Sequence, residues 1–482
     1  MPLDQKPPRR TTACDRCHSM KEKCVYDSNL TCTRCAKAAR PCTNSRRKRP
    51  TGRRRKTDST PMLPQPGQEF VWRTSTPDLQ PTPLSQQLIP TNHILARRSS
   101  AEITLLHAIF DKNRPSTSTT RNNFMNCFIL GPSFADAEVR GLATTLSVFP
   151  EAADALLSGM LACSGRFFAL VGKKGEDAEL YRYSAKAVRE LRERGEMTAK
   201  RGAMELLLAM VLALGIITFD LLDEGRHAHE ICRFALGLVG TADIGGEIGS
   251  ELQKQMLPLV HMDTLNCLVR REVPLYRLRL VKGVDRYIGS CGGLFSLLYD
   301  VCCVSWKLGG NGTRRHEGHE ELERLEEAVR EWTPESLEVE SLTAREIEVI
   351  STQASVHKGA VLLFLHRLRF PFGTEDDAAI HMAAPILDDV ASLYSVRKGE
   401  QQSMQYDYRV ALPFFIAATE LQDPVQRAQA LDLLDCIMWK RIYHKAARRL
   451  EGALFHVWDA RDNGWTGHWV DLADEGPPFI LF

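Results

Sequence analysis

Aromatic residues are scarce, 7% of 482, and the net charge is only +2 at neutral pH. Apolar runs are short. The longest, Leu206 to Phe219, ends after 14 residues between Glu205 and Asp220, whereas a bilayer span needs about 20. It is expected to be a buried core helix. Residues 1–10 lack the apolar stretch of a secretory signal, which predicts a soluble, intracellular chain with no membrane partner. No phosphate-binding glycine loop, dinucleotide fingerprint or nucleophile elbow is found, so no catalytic residue is assigned. The 44% apolar content excludes a wholly disordered or fibrous chain, and the length leaves room for more than one folded body.

The near-neutral total hides two bodies of opposite sign. Residues 1–60 hold 17 Lys/Arg against five Asp/Glu, while the rest of the chain holds 45 against 55. Between them, residues 57–97 carry seven prolines (Pro61, Pro64, Pro66, Pro77, Pro81, Pro83, Pro90) amid Ser, Thr and Gln. Proline lacks the backbone donor and fixes φ, so this stretch is read as a linker in which neither helix nor sheet propagates. The organisation expected is a cysteine module at 10–46, a basic run at 46–56, the linker at 57–97 and a large body at 98–482.

Six of the 14 cysteines crowd the basic module. Cys14, Cys17 and Cys24 repeat as Cys32, Cys35 and Cys42 with identical internal spacing, C-x2-C-x6-C twice. In a reducing compartment such clusters bind metal rather than form disulfides. Tetrahedral zinc takes four ligands, thiolate among the preferred ones. One ion would leave two thiolates idle; two ions need eight ligand places, which six sulfurs fill when two of them bridge. Two zinc ions are therefore expected. They would also supply the folding energy, about 10–16 kcal/mol per structural site, that so few apolar residues cannot.

Around the cysteines stand Arg16, Lys21, Lys23, Arg34, Lys37 and Arg40. Two dense basic runs follow, Arg46, Arg47, Lys48, Arg49 and then Arg53, Arg54, Arg55, Lys56. Such density is the footprint of phosphate binding, and the runs also serve as nuclear import signals. Neutralising some six phosphates would give log K against log salt a slope of roughly −5. Duplex DNA is the expected partner and the nucleus the expected location. Single-stranded RNA fits less well, since the first 60 residues offer only Tyr26 as a stacking ring.

The body at 98–482 reads as all-α. Ser99 or Ser100 can cap a helix bearing Ile103, Leu106, Ile109 and Phe110. Residues 180–194 are expected to bury Ala185, Val188 and Leu191, with Glu190 facing Arg194. Thr343 and Glu346 form a capping-box pattern opening a helix that runs to Phe370, where Pro371 stops it. Leu322, Leu325, Val329 and Trp332 recur too briefly for a coiled coil and suit a packed surface helix. His316 and His319 are placed in a solvated glycine-rich loop, His227 and His229 on a helix surface. Cys127, Cys163, Cys232, Cys267, Cys291, Cys302, Cys303 and Cys436 are read as small core residues. The end of the chain, Trp469 to Glu475, is read as packed.

With Lys21 and Lys23 inside the first six-residue loop, the cysteine spacing resembles that of the fungal binuclear zinc-cluster (Zn₂Cys₆) transcription factors. That resemblance implies two short helices around two zinc ions, bridged by Cys14 and Cys32. The first helix would enter the major groove, Lys21 reading a CGG-type triplet and Lys23 contacting phosphate. His18, where the family usually carries a basic residue, is counted with the DNA-facing set. Leu105-Leu-His107, Leu412-Pro-Phe-Phe-Ile-Ala417, Glu420, Asp423, Arg427, Trp458 and Trp469 resemble the fungal-specific transcription factor domain. The resemblance implies a non-enzymatic regulator of RNA polymerase II genes in a metabolic or secondary-metabolite set, with a small-molecule effector or co-regulator at the helical body. The proline-rich linker cannot form the coiled coil that pairs many such proteins, so monomer and dimer both stay open. The rival reading is an enzyme with an accessory zinc module.

Overall fold

The computed structural model describes residues 17, 32–38, 69–73, 99, 102–103, 129–134, 138, 141, 153–170, 177–196, 202–239, 247–281, 283–309, 313–337, 342–395, 409–438 and 442–472. The chain divides into two units, Met1–Thr60 and Pro61–Phe482. The first contains helix α1 (Thr33–Lys37). The second runs through β1 (Glu69–Arg73), α2 (Ala153–Leu170), α3 (Asp177–Glu196), α4 (Ala203–Asp223), α5 (Ala228–Gly237) and α6 (Glu247–Arg270). It continues with β2 (Arg277–Val281), α7 (Gly292–Leu308), α8 (Thr313–Glu331), α9 (Ala344–Arg369) and α10 (Asp376–Ser395). Last come α11 (Ala411–Ala418), α12 (Pro424–Ile437), α13 (His444–Asp462) and the single turn α14 (Trp469–Leu472).

The apolar run behaves as its composition requires. A helix hydrophobic on every side has to be surrounded, and α4 is packed by α2, α3, α5 and α6. Both α2 and α4 are long and apolar enough to span a membrane, yet 78% and 67% of those stretches are buried inside the protein. Where α2 and α4 cross, the backbones meet at Gly159 and Gly215. In α3 the buried face is not the expected one. Leu180, Ala187 and Leu191 point inward, while Ala185 and Val188 are exposed. Ala187, small enough to sit close to Gly159 of α2, takes the inward seat, and this turns the helix by about one residue. The Glu190–Arg194 pair forms, at 3.9 Å.

Helix α6 is buried throughout 255–269 although Gln255, His261, Asp263, Thr264 and Asn266 lie there. Two of these bond back to their own helix, Thr264 Oγ1 to Val260 O and Asn266 Nδ2 to Met262 O, both at 2.8 Å. Back-bonding of this kind makes polar residues tolerable inside a core.

The capping box at the start of α9 is complete. Glu346 N donates to Thr343 Oγ1, and Thr343 N donates to Glu346 Oε2 at 2.8 Å. The same carboxylate accepts from Ser133 N and Ser133 Oγ, tying residues 129–134 to α9. Burial alone would raise its pKa, but the donors from Ser133 and Thr343 outweigh burial and hold it below the usual range. Helix α9 ends at Arg369 with Phe370 as its C-cap, before Pro371. Ser99 is likewise a cap, accepting from Glu102 N and donating its own N–H to the Glu102 carboxylate. The rest of that expected helix, Leu105 to Phe110, lies outside the described residues.

Four other expectations need correction. First, β1 pairs in parallel with β2, Glu69 opposite Arg277 and Arg73 opposite Val281, inside what was read as an unstructured linker. Residues 67–76 form its one long proline-free interval, with Phe70, Val71 and Trp72 as good strand formers. Second, His316 and His319 belong to α8, not to a loop. Only residues 309–312 separate α7 from α8, and the acidic, leucine-spaced sequence propagates helix back to Thr313. Third, His229 is buried, 4% exposed, while His227 stays exposed at the N-cap of α5. Fourth, Cys436 is exposed and Cys303 half-buried, whereas Cys163, Cys232, Cys267, Cys291 and Cys302 are core residues as expected. Cys127 lies outside the described residues. Helix α8 packs inward through Leu322 and Val329, as a surface helix would.

Phe295 of α7 contacts the rings of His261 and His357, which are both 1% exposed. Burial pushes the His357 imidazole down to about 4, although its Nδ1 bonds to Gln353 O. Burial, with Arg409 and His357 nearby, pushes His261 well below its ordinary range. Both are therefore neutral in the fold, while the unfolded chain takes up their protons near pH 6.5. Their stabilising contribution is complete above that pH. It is lost as pH falls toward 4, by up to about 1.4 kcal/mol per pH unit for each ring. Asp285 works in the opposite sense, because burial raises its carboxyl to about 6 and the fold takes up that proton first. The variant His357→Gln should therefore flatten the dependence of unfolding free energy on pH between 6.5 and 4 by up to about 1.4 kcal/mol per unit. Urea titrations across that range measure it; an unchanged slope would show that His357 carries its proton within the fold.

Candidate metal centre and nucleic-acid interface

The second cysteine knuckle builds itself from local rules. Cys32 is the N-cap of α1: its backbone is extended and its sulfur accepts from Cys35 N at 3.4 Å. Its carbonyl accepts from Ala36 N at 3.0 Å. One helical turn thus brings the thiols of Cys32 and Cys35 to the same side, while Arg34 and Lys37 are exposed.

Cys17 joins them from the first half-repeat. Its sulfur lies 3.7 Å from Cys32 Sγ, and the three sulfurs all fall within 4.8 Å of one another. Their exposures are 2%, 0% and 0% for Cys17, Cys32 and Cys35. A disulfide would bring two sulfurs to about 2.05 Å, far closer than Cys17 and Cys32 lie. Two thiolates bound at about 2.3 Å to one tetrahedral zinc lie about 3.8 Å apart, which matches the Cys17–Cys32 separation. The donor set therefore fits zinc.

Cys14, Cys24 and Cys42 lie outside the described residues. So do Arg16, His18, Lys21 and Lys23, and the two runs Arg46, Arg47, Lys48, Arg49 and Arg53, Arg54, Arg55, Lys56. Among the described residues the knuckle's own cations are Arg34 and Lys37, one on either side of Cys35.

In the helical unit, the residues singled out near the chain's end converge on α11. Every residue of α11 is buried, and Trp458 Nε1 donates to Ala418 O at 2.9 Å. Asp423 caps α12. Arg427 forms a two-pronged pair with Asp462 and lies over the Trp458 ring. Trp469 packs edge-on against Phe364 and Phe415, so the chain is packed at α14 as expected.

Glu420 is engaged in a way the sequence did not announce. It receives Arg367 Nε at 2.8 Å and Nη2 at 2.5 Å, both partners being almost wholly buried. Asp376 and Arg461 complete the network, and both guanidinium groups lie over the Phe372 ring. The signal that could have found it is an arginine in the buried stretch of a helix just before a Pro-Phe turn, since such a charge requires a buried counter-ion.

Beside that network a groove of about 440 Å³ opens between α10 and α12, floored by Ala383, Leu387, Ala430 and Leu433, with Asp388 and Asp423 among its polar members. An apolar floor with a few polar groups is the usual make-up of a small-molecule site. No cluster of a nucleophile with its base is seen there, the polar members being carboxylates and glutamines.

No curated protein and no solved structure matches the chain. A family model does. Residues 116–482 match the fungal specific transcription factor domain, and the cysteine-rich segment precedes the matched residues. That match spans far more than half of the sequence and takes in the whole helical core around α4 and α11, so the chain belongs to the fungal specific transcription factor domain family.

Proposed function

We propose that this member of a transcription-regulator family acts in the nucleus by holding a two-zinc cysteine cluster against duplex DNA, with the helical unit controlling the output. The observation that carries the proposal is the convergence of Cys17, Cys32 and Cys35 at the sulfur spacing of a zinc–thiolate centre. Cys14, Cys24 and Cys42 would complete the ligand set, with Cys14 and Cys32 shared. Bound zinc would supply the cross-links that let a segment with almost no apolar core keep one shape.

The chain's own residues do the rest. Lys21, four residues after Cys17, is assigned to base edges of a CGG-type triplet, where a lysine pairs with the guanine O6 and N7 acceptors. Arg16, His18 and Lys23, and the two runs at 46–49 and 53–56, are assigned to phosphates. These fix position without reading sequence. We place an effector in the groove between α10 and α12. Target genes of a metabolic or secondary-metabolite set fit the family.

Fluorescence anisotropy of the full-length protein tests the assignment. A duplex with CGG triplets should bind at least tenfold more tightly than one with the triplets scrambled. Lys21→Ala should lose about 1–3 kcal/mol on the CGG duplex alone. Replacing Arg46, Arg47, Lys48 and Arg49 together should weaken every duplex alike and reduce the salt slope by about 3–4. Equal affinity for CGG and scrambled duplexes would overturn the reading. Comparing single with paired triplets decides between monomer and dimer.

A further inference from the structure

Helices α5 and α6 lie side by side, and three side chains of metal-ligand type meet between them. Asp263 and Cys267 are one turn apart on α6 and so share a face; His229 reaches them from α5. His229 Nε2 is 3.1 Å from Asp263 Oδ1, and Cys267 Sγ is 3.5 Å from the same oxygen. All three donor atoms fall within 4.8 Å of one another. Exposure is 4%, 1% and 0% for His229, Asp263 and Cys267. We propose that His229, Asp263 and Cys267 form a metal site inside the helical unit for one thiophilic divalent cation of the zinc class, separate from the N-terminal cysteine cluster.

Four features favour a cation there. Ligands held about 2.0–2.3 Å from a tetrahedral ion lie roughly 3.3–3.7 Å apart, close to the two separations observed. Imidazole with thiolate selects zinc-like ions over magnesium or calcium. The carboxylate is held from behind: Leu275 N donates to Asp263 Oδ2 at 2.7 Å, leaving Oδ1 turned to the other two ligands, as outer partners of metal sites do. Cys232, three residues after His229 and fully buried, adds a second thiol close to Asp263, although it already donates to Leu259 O.

Arg233 holds the place at present. Its Nη1 lies 3.3 Å from Cys267 Sγ and 3.7 Å from Asp263 Oδ1, and also pairs with Glu272 Oε2 at 2.7 Å. Arg233 Nη1 lies against the two atoms that an ion bound to Cys267 and Asp263 would also contact, so the ion and the guanidinium compete for the same place. Arg233 is 27% exposed and Glu272 46%, so the guanidinium can withdraw outward onto Glu272 along the route by which the ion enters. Charge then balances. The Cys267 thiol loses its proton to solvent, and His229 binds the ion through Nε2 with its ring proton on Nδ1.

The test uses the full-length chain titrated with cobalt(II) and zinc(II). A sixfold variant, with Cys14, Cys17, Cys24, Cys32, Cys35 and Cys42 all changed to serine, should keep one tight ion per chain and a near-ultraviolet thiolate-to-cobalt band. Adding Cys267→Ser should abolish both, with an unchanged far-ultraviolet spectrum as the check that the fold survives. Arg233→Gln in the sixfold variant should tighten binding at least tenfold. This last variant separates a metal site from a hydrogen-bonded polar cluster, because removing the competing cation helps only the former. A sixfold variant that binds no ion, together with an Arg233→Gln derivative that also binds none, would overturn the proposal. That result would leave the N-terminal cluster untouched, since its cysteines are absent from both proteins.

Discussion

Glu420→Ala should lower the stability of the helical unit by about 3–5 kcal/mol, among the largest effects of any single change in it. The reason lies in what the carboxylate leaves behind. Arg367 is 2% exposed and gives Glu420 a two-pronged bond; Arg461, 7% exposed, lies 3.7 Å from the same group. Without Glu420 two buried guanidinium groups face one another across the Phe372 ring, with only the partly exposed Asp376 to balance them. Three carbonyls also accept from Arg367 Nη1, those of Phe370, Pro371 and Thr374, so the arginine cannot swing out without undoing the turn after α9. The double variant Arg367→Met/Glu420→Leu should recover most of the loss, because an apolar pair of similar volume carries no desolvation cost. Urea unfolding of wild type, single and double variants measures both. A single-variant loss below about 1 kcal/mol would show that Asp376 alone neutralises the pair.

Placement of that network also shows what the sequence could and could not convey. Capping patterns transmit well: Thr343 with Glu346 and the stop at Pro371 follow from backbone chemistry within a few residues. Apolar runs transmit too, since α4 and α11 have no solvent-compatible face to offer. Helix rotation does not. In α3 the alternatives differ by one residue, and the choice between Val188 and Ala187 depends on what the neighbouring helices present, which no local pattern contains. Buried polar groups are the least legible. His229, Asp263 and Arg367 look like surface residues until their partners 34 and 53 positions away are known. The strand pair fails for a related reason, as β1 and β2 stand about 200 residues apart and β1 is flanked by prolines. By contrast, the cysteine repeat announces its own geometry. A C-x2-C knuckle opening a helix turn can place its two sulfurs only on one side, and Cys32 and Cys35 lie there.

Removing metal from the N-terminal unit should therefore have a larger effect than any change in the helical unit. The segment before residue 60 contains Leu3, Val25, Leu30 and a few alanines and methionines but no apolar set able to close a core. Its folding free energy would come from thiolate–metal bonds, about 10–16 kcal/mol for each structural zinc. Cys32→Ser should be the most damaging single substitution, because it takes away the sulfur in contact with Cys17 and the ligand assigned to both ions, while the serine oxygen can still cap the helix by accepting from Cys35 N. Expected results are loss of both ions of the cluster, at least 100-fold weaker binding to CGG duplexes, and a thermal transition of the helical unit that stays in place. Limited trypsin digestion reports the shape directly. Arg34 and Lys37 should be resistant in the zinc-loaded protein and cut rapidly in the Cys32→Ser variant or after chelation, while fragments of the helical unit persist. Equal cutting rates with and without metal would mean that the three converging sulfurs are held by the polypeptide alone, and the DNA-binding role assigned to this unit would lose its physical basis.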